Sequence, residues 1–307
     1  MPFSHLPDSS VIARAPGKIN LVLRVGPRRA DGYHDLLTCF QAVDIWETVA
    51  LSPADEFSIA VSGDVNLGEI PLDGNNLAMK AVAAVARATG RTDDAVAILI
   101  DKKVPVGGGM GGGSADAAAT LIAINELWQT GLSQVELLTI AAELGSDVPF
   151  LLEGGTAIGR GRGEILEPIK SLAFSWVIVP SMEHLATPGV YGRLDELRAD
   201  VDVVLPESLP DAFLDALYRG DPEALAPHLI NDMAQASLDL EPELEATLEK
   251  GLQCGALAVM VSGSGPTCAM LARDDAHANA MQASLRDQGH HCVVTSSPAR
   301  GAHLVRR

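Results

Sequence analysis

The chain has 307 residues, 47 % of them hydrophobic, which is enough for two folded domains with large cores and argues against disorder. Its 22 basic and 40 acidic residues give a formal net charge of −18, which repels nucleic acid, anionic membranes and phosphorylated small molecules alike. A phosphorylated ligand must therefore be held locally, by backbone N–H groups and a few placed lysines. The sequence has no apolar run of about 18 residues that would span a membrane.

The predicted elements of the first half alternate between strand and helix patterns. Strands are predicted at 11–14, 19–25, 38–51, 57–61 and 96–100, with a tight Ala-Pro-Gly-Lys connection between the first two and a loop at 27–34. Helices are predicted at 76–90, 114–128 and 133–144, the first with Asn76 as its N-cap. Residues 148–152 and 156–158 are predicted to be extended.

The organisation changes after about residue 163, where we place the boundary between domains 1–163 and 164–307. The second half has strand patterns at 174–179, 257–261, 267–271 and 292–295 and helix patterns at 211–218, 223–229, 242–253 and 275–288. This alternation favours a second α/β sandwich.

The cysteines indicate a reducing compartment. Cys39, Cys254, Cys268 and Cys292 are far apart and form no C-x-x-C pair, which disfavours a zinc site and a disulfide framework. The first ten residues lack a basic segment followed by an apolar stretch, so we expect no signal peptide. Together these features favour a cytoplasmic protein.

A glycine run precedes the second predicted helix, and residues 104–119 read VPVGGGMGGGSADAAA. Glycine is a poor helix former, but it lets a backbone turn sharply and approach a ligand without a Cβ in the way. The N–H groups and dipole of the following helix complete an anion site suited to a nucleotide pyrophosphate. Ser114 could cap this helix or offer its hydroxyl to a phosphate or to Mg²⁺. We predict that ATP binds here, at Pro105, Val106, Gly107, Gly108, Gly109, Met110, Gly111, Gly112, Gly113, Ser114 and Ala115.

Two familiar phosphate loops are excluded. No Gly-Lys-Ser/Thr follows, as a Walker A loop requires. Gly107, Gly109 and Gly112 do satisfy G-x-G-x-x-G, but a second helix follows where a dinucleotide fold needs a strand carrying an acid. The alternative interpretation of the run is a flexible hinge or tight packing.

Three further features do not, when each is taken alone, distinguish a functional role from a structural one. Asp147, in LGSDVPF, is either a carboxylate facing the phosphate site or a turn-capping residue. Lys18, with Asn20 two residues on and so on the same strand face, either acts in the site or reaches out to water. The SGSGPT turn at 262–267 is either an ordinary loop or a second backbone nest for phosphate.

Taken together, the three glycine-containing motifs resemble those of the GHMP kinase superfamily, which includes galactokinase, homoserine kinase and mevalonate kinase. The superfamily pattern P-x-x-x-G-L-G-S-S-A-A corresponds to PVGGGMGGGSADAA in this chain. The segments PGKINLVL, RRADGYHDL, GSDVPF and SGSGPT narrow the similarity to the 4-diphosphocytidyl-2-C-methyl-D-erythritol kinase family. The likeness covers nearly the whole chain and is strongest before residue 163.

The resemblance implies a two-domain α+β fold, with a ribosomal-protein-S5-like N-terminal domain and a ferredoxin-like α/β C-terminal domain. It implies that ATP, with Mg²⁺, phosphorylates the 2-hydroxyl of a small substrate bearing a cytidine diphosphate, in the non-mevalonate isoprenoid pathway. No nucleic acid or membrane partner is implied, and the chain would be a monomer or a homodimer.

The resemblance also implies roles for particular residues. Lys18 and Asp147 match the family's catalytic pair, with Asp147 either a base or a group that orients the hydroxyl. Further matches are substrate contacts at Asn20, Tyr33, His34, Thr187, Tyr191, Gly263, Ser264 and Gly265, and adenine or ribose contacts at Asn76 and Lys102. Two departures from the family pattern leave the metal ligands open: Gly17 where Ala is frequent, and Ala115-Asp116 where many members have Ser-Asn.

Two alternatives remain at this point. A sister kinase acting on homoserine or a mevalonate-like alcohol would have little use for Tyr33 and His34, which suit a nucleobase. A non-catalytic nucleotide-binding protein on the same fold would need neither Lys18 nor Asp147.

Overall fold

The computed structural model describes residues 3, 6–68, 70–91, 94–181, 183 and 185–306, without the side chain of Arg306. The helices are α1 Leu77–Thr89, α2 Gly112–Leu127, α3 Gln134–Leu144, α4 Val148–Glu153, α5 Thr187–Leu197, α6 Asp211–Arg219, α7 Pro222–Leu225, α8 Ala234–Leu240, α9 Glu243–Gln253 and α10 Asp275–Asp287. The strands are β1 Val11–Arg28, β2 His34–Pro53, β3 Ser58–Gly63, β4 Val96–Lys102, β5 Thr156–Arg160, β6 Ile165–Pro168, β7 Phe174–Val179, β8 Ile230–Asn231, β9 Ala258–Val261, β10 Cys268–Ala272, β11 Val293–Ser297 and β12 His303–Arg306. None of the described helices is long and apolar enough to cross a membrane.

The first sheet has the order β12-β1-β2-β4-β3, with β5 and β6 joined through β2 and β8 joined to β1. Helices α1, α2 and α3 pack against one another, and their alanine-rich faces share a core with β1, β2 and β4. The last strand, β12, runs antiparallel to β1, so the end of the chain returns to this sheet. The predicted domain boundary at residue 163 stays a prediction.

The first predicted pair of strands is in fact one strand. The expected tight connection at Ala-Pro-Gly-Lys is wrong, because β1 continues through it with a register shift between Pro16 and Gly17. Pro16 has no N–H to donate to the ladder, and a bulge accommodates such a residue inside a strand. Beyond the bulge, the N–H of Lys18 donates to the carbonyl of Met110, which attaches the strand to the glycine run.

The extended segment predicted at 148–152 is also wrong, because these residues form the short helix α4. A short run of consecutive apolar residues does not distinguish a buried strand from a buried helix. Pro149 is tolerated in the first turn, where its missing N–H has no intrahelical partner to lose. All five residues of α4 from Val148 to Leu152 are buried.

The second sheet is antiparallel, with the order β11-β7-β10-β9. Its strands and intervening helices follow the β-α-β-β-α-β pattern of ferredoxin-like folds, as expected. The strand predicted at 174–179 is confirmed, whereas α5 and α8 were not predicted. Side chains from both sheets share a core, including Ile19 and Trp176.

Candidate active site

A cleft of about 1070 Å³ lies between the glycine run, the start of β2, the turn before α4 and helix α5. Most of the predicted site residues line it: Lys18, Asn20, Tyr33, His34, Pro105, Gly107, Gly108, Gly109, Gly111, Gly112, Gly113, Ser114, Asp147, Thr187, Tyr191, Gly263 and Ser264. The others are not among its lining residues: Asn76, Lys102, Val106, Met110, Ala115 and Gly265. The cleft therefore unites motifs that are separated by more than a hundred residues in the sequence.

The glycine run forms a loop that ends where α2 begins. Gly111 is the N-cap of α2, with φ of 74°, and the first intrahelical bond runs from the N–H of Ala115 to its carbonyl. The capping alternative for Ser114 is therefore wrong, because the helix begins two residues earlier, at Gly112. The N–H groups of Gly112, Gly113 and Ser114 precede that first bond, so they have no partner within the helix. All three residues line the cleft, where these groups and the helix dipole favour an anion.

Two of the glycines are needed because another loop packs on them. A Cβ on Gly109, which has φ of 75°, would lie 2.0 Å from the carbonyl oxygen of Ser262. A Cβ on Gly108 would lie 2.3 Å from the hydroxyl of Thr267, and the N–H of Thr267 donates to the carbonyl of Gly108. The SGSGPT turn thus packs backbone to backbone against the glycine loop. Gly108 and Gly109 are therefore required for this contact between the two loops, whether or not a ligand is bound.

Lys18 joins β1 to the glycine loop and to the cleft. Its Nζ donates to the side-chain oxygen of Asn20 and to the carbonyl of Gly109, both at 2.8 Å. The amide nitrogen of Asn20 donates in turn to the hydroxyl of Thr38, which fixes the orientation of the amide. Nζ is 3.6 Å from Oδ2 of Asp147, so the two form an ion pair at a distance too long for a hydrogen bond.

Asp147 occupies the N-cap position of α4, but its side chain makes no capping hydrogen bond there. The turn-capping alternative is therefore wrong. Its carboxylate is 27 % exposed, faces the cleft and lies beside Lys18, next to the start of α2. The Asp147 carboxylate and the Lys18 ammonium thus line the cleft side by side. Such a pair can orient a hydroxyl group and stabilise developing charge.

Aromatic side chains collect at the other end of the cleft. The Tyr33 side chain is 55 % exposed, and the guanidinium of Arg162 lies 5.2 Å from its ring centroid. The ring of His34 stacks on that of Tyr191, with centroids 5.0 Å apart. Nε2 of His34 lies 2.8 Å from Oδ1 of Asp195. Because a carboxylate only accepts, Nε2 carries the hydrogen, which fixes the orientation of the imidazole.

Helix α5 supplies one wall of this aromatic end. Tyr191 and Asp195 are four residues apart, so both project from one face of α5 onto His34. Burial, and to a smaller extent the charge of Asp147, raises the pKa of Tyr191 to about 12, so its phenol is neutral at physiological pH. At the start of the same helix, the hydroxyl of Thr187 is 3.0 Å from that of Ser264 in the SGSGPT turn.

Two residues of the predicted ATP site, Asn76 and Lys102, use their side chains in contacts within the protein, and so does Asp116, which follows the glycine run. Asn76 is the N-cap of α1, as predicted, and both ends of its amide are used there, by the N–H of Ala78 and the carbonyl of Pro71. Lys102 is buried, with Nζ 2.9 Å from Glu47 and 2.6 Å from Asp116. Asp116 is therefore paired with Lys102 and does not line the cleft, although it follows directly on the glycine run.

Sequence reasoning missed several cleft residues. Arg28 and Arg162 bring positive charge to the aromatic end of an acidic protein, and Asp195 orients His34. Asn231, which is not among the lining residues, donates to the carbonyls of Val261 and Gly263 and so holds the SGSGPT turn. The spacing of Tyr191 and Asp195 could have revealed Asp195, had α5 been predicted as a helix. The sequence carries no comparable signal for Asn231, because its contacts are formed only by the tertiary fold.

Comparison with known proteins agrees with this fold. The GHMP kinases N terminal domain matches residues 76–155, and the GHMP kinases C terminal domain matches residues 213–291. This chain belongs to the GHMP kinases. Within that superfamily its similarity is to the 4-diphosphocytidyl-2-C-methyl-D-erythritol kinases, so the predicted resemblance is confirmed.

Among the relatives of that name, the one from Nocardia farcinica is 48 % identical over 302 residues, covering 97 % of each chain. The one from Rhodococcus jostii is 48 % identical over 300 residues, covering 96 % of this chain and 95 % of its own. A crystal structure of 4-(cytidine 5'-diphospho)-2C-methyl-D-erythritol kinase superposes with a TM-score of 0.75 at 31 % identity, covering 94 % of this chain and 99 % of that one. The L. major mevalonate kinase in complex with R-mevalonate, at 17 % identity and a TM-score of 0.73, over 94 % of this chain and 96 % of its own, shares the fold alone.

Proposed function

We propose that this chain transfers the terminal phosphoryl group of ATP to the 2-hydroxyl of 4-diphosphocytidyl-2-C-methyl-D-erythritol, a step of the non-mevalonate pathway to isoprenoid precursors. The observation that carries the proposal is the full-length similarity to kinases of that name. The cleft supports it, because a phosphate-binding loop and an aromatic end suited to a nucleobase flank the Lys18–Asp147 pair.

The ATP phosphates bind, in this proposal, on the glycine loop and the first N–H groups of α2. Described residues include no group of three or more His, Cys, Asp or Glu side chains that could hold a metal ion by themselves. Mg²⁺ does not need one, because it commonly binds through substrate phosphates, water and few protein oxygens. The Ser114 hydroxyl lines the cleft and fits such a role, whereas the buried carboxylate of Asp116 does not. Bound there, Mg²⁺ would neutralise phosphate charge.

Phosphoryl transfer depends mainly on positioning and on electrostatic stabilisation. Asp147 accepts a hydrogen bond from the 2-hydroxyl and directs its oxygen toward the phosphate. Lys18, held by Asn20 and by the Gly109 carbonyl, keeps the carboxylate in place and stabilises the negative charge that develops during transfer. Whether Asp147 removes the proton fully or only orients the hydroxyl, the same two side chains are used.

The cytidine binds, in this proposal, at the aromatic end of the cleft. The exposed ring of Tyr33 offers a stacking face, and the stacked rings of His34 and Tyr191 also line the cleft. Arg28 and Arg162 lie at this end and can attract the diphosphate, which the overall charge of −18 would otherwise repel. The four free thiols support the further proposal that the enzyme is cytoplasmic.

The test is an ADP-release assay that compares the cytidyl-bearing alcohol with homoserine and mevalonate. Turnover should depend on the cytidyl-bearing alcohol, and equal or faster turnover with either of the others would reject this substrate. ATP binding without turnover of any of the three would favour a non-catalytic protein.

The role of Asp147 is tested with Asp147→Asn, which should reduce kcat by about 10³-fold while ADP affinity stays nearly unchanged. Asp215→Asn, on an exposed face of α6, is the matched control. Unchanged turnover in Asp147→Asn would remove Asp147 from the mechanism.

A further inference from the structure

Behind the glycine loop, three charged side chains from three different elements are buried together. Nζ of Lys102, at the end of β4, lies 2.9 Å from Oε1 of Glu47 on β2 and 2.6 Å from Oδ2 of Asp116 on α2. All three residues are at most 2 % exposed. We call them the buried cluster. Its members lie outside the cleft wall and separate from the Lys18–Asp147 pair.

Stability alone is a weak reason for such a cluster. Removing charges from water costs several kcal/mol for each ion, and apolar side chains of similar size often stabilise a core as well or better. Here two carboxyl groups share one lysine, and Oδ1 of Asp116 has no hydrogen-bond partner among the described residues. The contacts that the cluster makes beyond its own members are therefore more informative than the ion pairs.

Glu47 holds the beginning of the glycine loop. Its Oε2 accepts from the N–H of Lys103 at 3.1 Å, and its Oε1 accepts from the N–H of Val104 at 3.2 Å. These are the last two residues before Pro105, where the loop starts. The carboxylate thus fixes the backbone at the point where the chain leaves β4.

The same carboxylate lies against the end of the loop. A Cβ built on Gly112, the first residue of α2, would lie 3.1 Å from Oε1 of Glu47 and 3.4 Å from Nζ of Lys102. Asp116, one helical turn further on, binds Lys102 from the helix side. The start of the loop is therefore hydrogen-bonded to Glu47, and α2, which follows its end, is joined to Glu47 through Asp116 and Lys102.

We propose that Glu47, acting with Lys102, is a positioning residue for the nucleotide, because it sets the separation of the two ends of the glycine loop. That separation determines where the loop and the first N–H groups of α2 meet the phosphates. The proposal rests on the proposed binding of ATP at this loop. Glu47 makes no contact with ATP itself and acts through the backbone.

The test measures ADP binding by calorimetry, steady-state kinetics and thermal unfolding on the full chain. Glu47→Gln should raise the Kd for ADP and the KM for ATP by about tenfold, while the KM for the cytidyl-bearing alcohol stays within about twofold. A merely structural role would not separate the two substrates in this way. The matched control is Val49→Ala, a buried position two residues along β2 on the same face, which should lower Tm but leave both KM values unchanged.

Two results would overturn the proposal: unchanged ADP affinity in Glu47→Gln, or an equal loss of affinity in Val49→Ala. If Glu47→Gln does not fold, the triple variant Glu47→Gln, Lys102→Met, Asp116→Asn removes every charge of the cluster and leaves none unpaired. It should fold and still bind ADP about tenfold more weakly, and native affinity in that variant would also reject the proposal. If the unaltered protein neither binds ADP nor turns over, the proposed function fails instead.

Discussion

Two lysine–carboxylate groups lie on opposite sides of one glycine loop, and they differ in how completely the lysine is paired. In the cleft, Lys18 makes its close contacts with two neutral oxygens and leaves Asp147 at 3.6 Å. Behind the loop, Lys102 contacts two carboxylates at 2.9 Å or less and is almost fully buried. The first group keeps a carboxylate accessible to a substrate, and the second leaves no charge accessible.

This difference in pairing distinguishes a group that acts on a substrate from a group that positions a loop. A group that acts on a substrate must have a hydrogen-bonding site open to it, so its neighbours fix it without saturating it. A group that holds a loop is most effective when its strongest contacts are already made within the protein. The same pair of residue types can therefore do either task, and exposure and distance decide which.

The largest effect should come from the cleft. Lys18→Met removes the positive charge beside Asp147, and kcat should fall by about 10²- to 10³-fold. ADP affinity should fall less, because the Lys18 side chain bonds the loop at the Gly109 carbonyl, while the backbone bond from Lys18 to Met110 is kept. Lys170→Met, at an exposed lysine over Tyr218, is the control for the loss of a charge. A kcat within about threefold of the natural enzyme would contradict the catalytic role of Lys18.

The next effect should come from the contact between the glycine loop and the SGSGPT turn. Gly109→Ala places a Cβ 2.0 Å from a backbone carbonyl at a residue with positive φ, so the two loops must separate. We expect a lower Tm and a rise of about tenfold in the Kd for ADP, measured by thermal unfolding and calorimetry. Gly74→Ala, which meets nothing within 4 Å, is the matched control and should change neither quantity.

A smaller and more selective effect should appear at the aromatic end. Asp195→Asn removes the charge of the acceptor that orients His34 and so weakens that hydrogen bond, and the KM for the cytidyl-bearing alcohol should rise by about five- to tenfold while the KM for ATP should not change. Glu196→Gln, on the next residue and 69 % exposed, should leave both values as they are. An equal change in the two KM values would mean that Asp195 stabilises the fold rather than orienting His34.

The sequence predicted most elements and the local parts of the site. The cap at Asn76, the glycine loop before α2 and the shared face of Lys18 and Asn20 all follow from short-range patterns. Helix α5 was missed because TPGVYGRLDEL contains two glycines and a proline, which lower its helix propensity. Packing of its Val190 and Leu194 in the core offsets that low propensity. The pairing of Lys102 with Glu47 and Asp116 joins three distant segments, and no local pattern could indicate it.

The smallest effect we expect is a pH dependence of the free energy of unfolding that is caused by the buried cluster. Burial, and next the charge of Asp116, raises the pKa of Glu47 to about 8, against the opposing influence of Lys102. An unfolded chain releases this proton near its ordinary pKa of about 4.3. Between these values the folded protein holds a proton that the unfolded protein does not, so the free energy of unfolding falls as pH rises through that window.

Urea unfolding between about pH 5 and pH 8 measures this slope, and Glu47→Gln removes the group that causes it. The acidic surface adds its own pH dependence, so the informative quantity is the difference between the slopes of the two proteins. Asp116→Asn should give an intermediate slope, because it removes the like charge that helps raise the pKa of Glu47 while keeping the pair with Lys102. Identical slopes in all three proteins would mean that Glu47 is ionised in the folded state, with the cluster carrying an uncompensated negative charge beneath the phosphate loop.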